Sequence, residues 1–133
     1  MAKKIKPVSR IVRTETRIIR KDGRFFIHSR KNYGFEDNWT PPLDISESDN
    51  KIILTVEVPG VSENDMTVRV HTNLVEIKGV KKEKLPDKKV RFFRMEREHG
   101  NFQRSIFLPS LVNPDEARAV LENGILTITL TKI

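Results

Sequence analysis

Cysteine is missing altogether from the 133 residues, which rules out disulfides, thiolate nucleophiles and cysteine-ligated zinc. Long apolar runs are missing too: no stretch approaches the roughly 18–20 residues that a bilayer-spanning helix needs. The first residues, MAKKIKPVSRIVR, are basic yet lack the continuous apolar core of a secretory signal. The expectation is a soluble, cytoplasmic protein with no membrane partner. Histidine is scarce: His28, His71 and His99 are scattered, with no H-x-x-x-H or H-x-E spacing, so no metal site is expected. Neither G-x-x-x-x-G-K-[ST] nor G-x-G-x-x-G occurs, so no nucleotide or other cofactor is expected either. Ser105 lacks the G-x-S-x-G setting of an activated nucleophile. Glu96 and Glu98 are spaced like a carboxylate pair on one strand face. Arg94 and Arg97 beside them would keep both ionised, as in a solvated ion-paired ribbon. Nothing here predicts an enzyme.

What the chain does have is charge, unevenly placed. Residues 1–40 hold eleven Lys/Arg against four Asp/Glu, whereas residues 41–133 hold fourteen of each. The whole net charge of +7 therefore belongs to the first 40 residues. This reads as a basic arm, 1–40, on a neutral body, 41–133, with the boundary at Trp39-Thr40-Pro41-Pro42, where two prolines disfavour helix. Within the arm, a loose helical stripe of Val8, Ile11, Val12, Ile18 and Ile19 competes with a hairpin signal at Asp22-Gly23 and with disorder. Phe25, Phe26, Ile27, Tyr33, Phe35 and Trp39 make the arm too apolar for an inert tail, so these side chains must find a surface on this molecule or another. Basic residues interleaved with rings also fit a nucleic-acid arm over residues 3–31, phosphates held by Lys/Arg and bases stacked on rings.

The body is a series of short alternating runs. Leu43-Asp44-Ile45 precedes a turn at Ser48-Asp49-Asn50. KIILTVEV places Ile52, Leu54, Val56 and Val58 on one face before Pro59-Gly60. Met66, Val68 and Val70 repeat the pattern, Thr72-Asn73 turns into LVEIKG, and VRFFRMER forms a longer ribbon up to His99-Gly100-Asn101. Phe102, Ile106 and Leu108 follow with Arg104 among them, and Asn123-Gly124 turns into Leu126, Ile128 and Leu130. The glycines all read as turn residues. Many short strands divided by turns at intervals of about 8–12 residues predict an all-β sandwich. One segment conflicts with this. Asn113-Pro114-Asp115-Glu116 has the cap, proline and acidic residue of a helix start, and ARAVLE could continue that helix.

AVLENGILTITL, residues 119–130, resembles the A-x-x-x-n-G-v-L signature of the small heat-shock proteins, whose shared module is the α-crystallin domain. PPLDISESDNKIILTVEVPGVSENDMTV and HGNFQRSIFLPS fit the same family in the same order, and the three stretches together span residues 41–132. The resemblance implies an immunoglobulin-like antiparallel β-sandwich of seven or eight strands. It makes ARAVLE a short strand rather than a helix, paired across Asn123-Gly124 with the last strand. The implied function is ATP-independent holding of unfolding proteins, a holdase chaperone whose partners are its clients and a second copy of itself.

The resemblance also implies sites. Clients would meet the arm at Ile18, Ile19, Phe25, Phe26, Ile27, Tyr33, Phe35 and Trp39. VKKEKLPDKKVR, residues 80–91, matches a loop that crosses to a partner and adds a strand there. Lys82, Glu83, Lys84 and Leu85 would then meet Leu43 and Ile45 of a strand-swapped dimer, with Arg104 ion-paired near the contact. Val68, Val70, Ile106 and Leu108 would border a groove that takes a neighbour's C-terminal tail. The sequence departs from the pattern here, because it stops at Ile133 without the flexible I-x-I tail, so dimers or arm-held oligomers are expected over tail-linked shells. Two rival readings stand beside the holdase: the basic-arm nucleic-acid module, and a single-partner co-chaperone of the related CS-domain type.

Overall fold

A computed structural model describes residues 2–5, 18–19, 38–83 and 89–133. Nine strands lie among these residues: β1 (Ala2–Ile5), β2 (Ile18–Ile19), β3 (Leu43–Glu47), β4 (Lys51–Glu57), β5 (Met66–Val70), β6 (Leu74–Lys81), β7 (Gly100–Phe107), β8 (Val112–Glu122) and β9 (Ile125–Lys132). They form two antiparallel sheets, ordered β2-β1-β5-β6-β7 and β3-β4-β9-β8. One short 3₁₀ turn, Glu63–Asp65, leads into β5, with the Ser62 hydroxyl accepting from the Asn64 amide at 3.3 Å.

Period-two alternation builds the core. Ile52, Leu54 and Val56 of β4 point inward beside Leu126, Ile128 and Leu130 of β9, while Lys51, Thr55, Thr127 and Thr129 face outward. The opposite sheet contributes Met66, Val68, Val70, Val75, Ile77 and Phe102, and all of these join one buried cluster. Apolar side chains of two inner faces packed together are what hold a sandwich of this kind.

Local geometry at the turns follows the residue types. Asn123 and Gly124 adopt φ of 53° and 77°, the left-handed pair that a tight hairpin needs, and β8 folds back on β9 there. The closing strand is not an edge: β9 sits between β4 and β8 and is bonded on both sides.

The helix-start signal at Asn113 has another use. Asn113 Oδ1 accepts the Asp115 amide at 3.0 Å, and Asn113 Nδ2 donates to Glu116 Oε2 at 3.3 Å. Those bonds shape an irregularity inside β8, where five residue steps from Asn113 to Arg118 face only two, from Thr131 to Thr129, on β9. The chain then resumes as a strand with Ala117, Ala119 and Leu121 buried. Burial on the sheet overrides the local helical preference.

Three sequence expectations are corrected. VRFFRMER, though alternating, is not paired into either sheet among the described residues; it runs exposed ahead of β7. Its periodicity is that of a strand, but no strand among the described residues lies beside it to receive it. Gly79 lies inside β6 and not at a turn, because Phe102 and the backbone of Asp65 occupy the space a side chain would take. Trp39 belongs to the buried body and not to an arm, for reasons given next.

Candidate functional site

A sandwich of two open sheets has two lateral seams, one between β7 and β3 and one between β5 and β8. Each is crossed by chain from the N-terminal side, in different ways.

Residues 38–42 close the β7–β3 seam. The Asn38 amide donates to Asn101 O at 2.8 Å, and the Asn101 amide returns a bond to Asn38 Oδ1 at 2.9 Å. Trp39 is 6% exposed, sets its ring edge-on to Phe102 at 5.1 Å and donates from Nε1 to Gly100 O at 3.0 Å. Lys81 Nζ lies 5.2 Å from the centre of the Trp39 ring, a cation–π distance. Arg104 Nη1 donates to Pro41 O at 2.8 Å, and the Glu57 amide donates to Pro42 O at 3.0 Å. A tryptophan so enclosed cannot meet a client without unpacking the sandwich. The net-charge boundary misplaced it because packing does not follow net charge.

The β5–β8 seam is covered by β1. Lys3, Lys4 and Ile5 pair with Val70, Arg69 and Val68, and Ile5 is fully buried in the same cluster as Val68, Val70, Val112, Ala117 and Ala119. β1 also touches β8, and its other side pairs with Ile18 and Ile19 of β2. The four residues expected to border one groove are divided: Val68 and Val70 lie on β5, whereas Ile106 and Leu108 lie on and just after β7, with β6 between. β8 is the strand of the second sheet that touches β1. Ile106, Leu108 and Leu43 pack partly buried against the core.

The other expected contact residues lie as follows. Leu43 and Ile45 are on β3, whose outer edge has no partner strand among the described residues; Ile45 is 40% exposed. Lys82 Nζ is 3.2 Å from Asp65 Oδ1, and Glu83 Oε1 is 2.9 Å from His99 Nε2. Both are held within the chain, at the base of the loop that ends at Gly100. Lys84, Leu85, Phe25, Phe26, Ile27, Tyr33 and Phe35 lie outside the described residues.

The feature that stands out is the ribbon itself. Phe93 is 91% exposed, and Val90, Phe92 and Met95 are about half exposed beside it, while Arg94 and Glu96 pair at 3.0 Å. No three His, Asp or Glu side chains converge as a metal site, and no helix is long and apolar enough to cross a membrane, both among the described residues. Glu47 on β3 sits where its partners favour the ionised form. Hydrogen bonds from Lys132 Nζ at 2.7 Å and Ser110 Oγ at 2.8 Å hold its carboxyl below the usual range.

The class so defined is an immunoglobulin-like β-sandwich with an exposed apolar ribbon and an edge strand, β3, that has no outer partner among the described residues. Residues 44–133 match the Hsp20/alpha crystallin family, and the chain belongs to it. It is 43% identical over 97 residues to small heat shock protein C2 of Rickettsia felis, covering 73% of this chain and 63% of that one. Against a 17.3 kDa class II heat shock protein of Solanum peruvianum the identity is 36%, covering 69% and 60%. Among solved structures, heat shock protein 16.0 of Schizosaccharomyces pombe superposes with a TM-score of 0.67 at 29% identity, covering 71% of this chain and 88% of that one. A small heat-shock protein of Xylella fastidiosa, whose crystal structure is described as revealing a distinct high order structure, gives 0.63 at 32% identity, covering 71% and 87%. The chain matches about six-tenths of the length of these curated relatives. Neither the nucleic-acid nor the CS-domain reading gains support from these likenesses.

Proposed function

We propose that this protein is an ATP-independent holdase chaperone that works as a self-associated β-sandwich. The observation that carries the reading is the ribbon Val90–Met95, four large apolar side chains held in solvent on a domain of the Hsp20/alpha crystallin family. Exposed apolar area of this kind on a folded domain marks an interaction surface. The outer β3 edge, with Ile45 exposed and no strand beside it among the described residues, is the complementary feature. Val90–Arg97 of one copy added to β3 of another would satisfy both, backbone bonds supplying affinity and alternate side chains supplying register. On this reading the crossing strand is Val90–Arg97, and Lys82 and Glu83 anchor its base through Asp65 and His99.

Client capture falls to the apolar residues of the arm: Phe25, Phe26, Ile27, Tyr33 and Phe35, with Ile18 and Ile19. An unfolding protein exposes apolar surface, and burying it returns roughly 25 cal/mol per Å². The arm's eleven cations keep the resulting complex hydrated. No nucleotide enters this scheme, because holding is equilibrium burial and needs no cycle.

The test is light scattering of a heat-destabilised enzyme without ATP, using full-length chains. The wild-type chain should suppress aggregation, and a Phe25→Ser/Phe26→Ser/Phe35→Ser variant should do so less well. Absence of suppression at several-fold molar excess would sink the chaperone reading. Equal suppression by both chains would move client binding from the arm to the sandwich. Truncation at residue 40 is a poor substitute, since it removes Trp39 from the core.

A further inference from the structure

We propose that Met95 is an oxidation site through which peroxides weaken the self-association of this protein. The chain has no cysteine, so thiol chemistry is closed to it, and its methionines are Met1, Met66 and Met95. Met66 is 4% exposed within the core cluster, whereas Met95 is 59% exposed on the ribbon. Met95 also lines a hollow of about 100 Å³ with Phe92, Arg97 and His99, room enough for a molecule the size of hydrogen peroxide. Oxidation follows exposure, so the sulfur of Met95 meets a solvent-borne oxidant and the sulfur of Met66 does not.

The step balances without a cofactor. A lone pair of the thioether sulfur attacks one oxygen of hydrogen peroxide, and the S–O bond forms as the O–O bond breaks. The departing oxygen takes up the proton of the attacked hydroxyl and leaves as water. Sulfur is oxidised by two electrons, and the peroxide is reduced by two. The consequence rests on the ribbon-to-β3 contact proposed above. In an extended ribbon Phe93 and Met95, two residues apart, share one face, with Arg91 Cζ 5.8 Å from the centre of the Phe93 ring. Docking on β3 takes the Met95 thioether out of water together with that ring. A sulfoxide is polar and chiral where the thioether was flexible and apolar. Its oxygen loses its hydrogen bonds to water on docking, and Ile45, the apolar group exposed on β3, offers no donor in return. A docked ribbon shields its sulfur, so the oxidant takes chains that have come apart and keeps them apart by mass action. Methionine sulfoxide reductases reverse the modification and so return the chains to association.

The test treats full-length chains with hydrogen peroxide and reads two quantities. Peptide mass spectrometry follows sulfoxide formation at each methionine, and light scattering over a concentration series follows association. Met95 should convert roughly tenfold or more faster than Met66. Treated wild-type chains should then need a roughly tenfold higher concentration to associate, the effect of one polar group buried without a partner. Incubation with a methionine sulfoxide reductase should restore the untreated curve. Met95→Leu is compared with itself before and after treatment, and peroxide should leave its curve where it was. Met95 reacting no faster than Met66 would overturn the proposal, and so would a Met95→Leu chain that loses association on treatment, since another group would then be responsible. Treated wild type that associates as before, while Phe93→Asp does not associate, would overturn the proposal and leave the ribbon contact standing. Untreated wild type that stays monomeric throughout would remove the ribbon contact itself, and this proposal with it.

Discussion

At the scale of single residues, two positions show how closely the seams are fitted. Gly79 is in ordinary strand backbone, so its reason is space. A Cβ there would lie 2.6 Å from Phe102 Cζ, 2.7 Å from the Asp65 carbonyl oxygen and 2.9 Å from Met66 Cβ. Phe102 is fully buried and edge-on to Trp39, so it cannot yield without disturbing the β7–β3 seam. Gly79→Ala should lower stability by about 1–3 kcal/mol, the usual cost of overpacking, as measured by urea unfolding with an unchanged m-value. Glu47 illustrates the opposite case, an exposed group with well-aimed partners. Lys132 and Ser110 favour its ionised form, so its folded pKa lies below its unfolded one. The stabilisation is present above the unfolded value, near 4.3 for glutamate, and disappears as pH falls through the lower folded value. A carbon-detected titration of the Glu47 carboxyl should show a midpoint below the ordinary range that Lys132→Met moves back up. A wild-type midpoint in the ordinary range would contradict the geometry. The gain is reduced by salt, as for any surface pair.

At the scale of elements, legibility depended on whether the deciding partner was near in sequence. β4, β5 and β9 announced themselves, because alternation alone tells which side chains face a core. β8 did not. Asn113-Pro114-Asp115-Glu116 carries the local chemistry of a helix start, and only the likeness of AVLENGILTITL to a known family marked it as strand. The structure shows those caps serving as the irregularity between Asn113 and Arg118. Trp39 was misread because the change in charge and the two prolines fall just beyond it, while its partners Phe102 and Gly100 are some 60 residues away. β1 had no readable signal: four residues, AKKI, two of them lysines, are indistinguishable from solvated chain until the β5 edge is in view. The element order also ranks local stability. β9 is flanked by strands on both sides, whereas β3 is an edge. Hydrogen exchange should therefore find the amides of Ile128 and Leu130 opening near the global unfolding free energy, and those of β3 exchanging well before it. Comparable protection of β3 in dilute protein would mean that its outer edge is already covered.

At the scale of the whole molecule, the N-terminal third is less separate from the sandwich than charge suggests. It covers both seams, with residues 38–42 on one side and residues 2–5 on the other, while its cations account for the entire net charge of +7. Among the described residues, β3 has no strand on its outer edge and neither sheet takes up the apolar ribbon, a combination that a second copy would resolve on the proposed reading. If folding and association are linked in this way, stability must depend on concentration, because whatever binds only the folded state raises its unfolding temperature by mass action. Raising the protein concentration a hundredfold should lift Tm measurably for the wild-type chain. Phe93→Asp places a charge at the most exposed ring of the ribbon, where it touches little of its own core, so it should leave the dilute Tm nearly unchanged and abolish the concentration dependence. Ile45→Asp on the receiving strand should do the same, and a mixture of the two variants should recover association only in part, since in a mixed pair one contact is intact and the reciprocal contact lacks both anchors. A wild-type Tm that stays flat over that range, with light scattering showing a monomer throughout, would remove the ribbon-to-edge contact from the account.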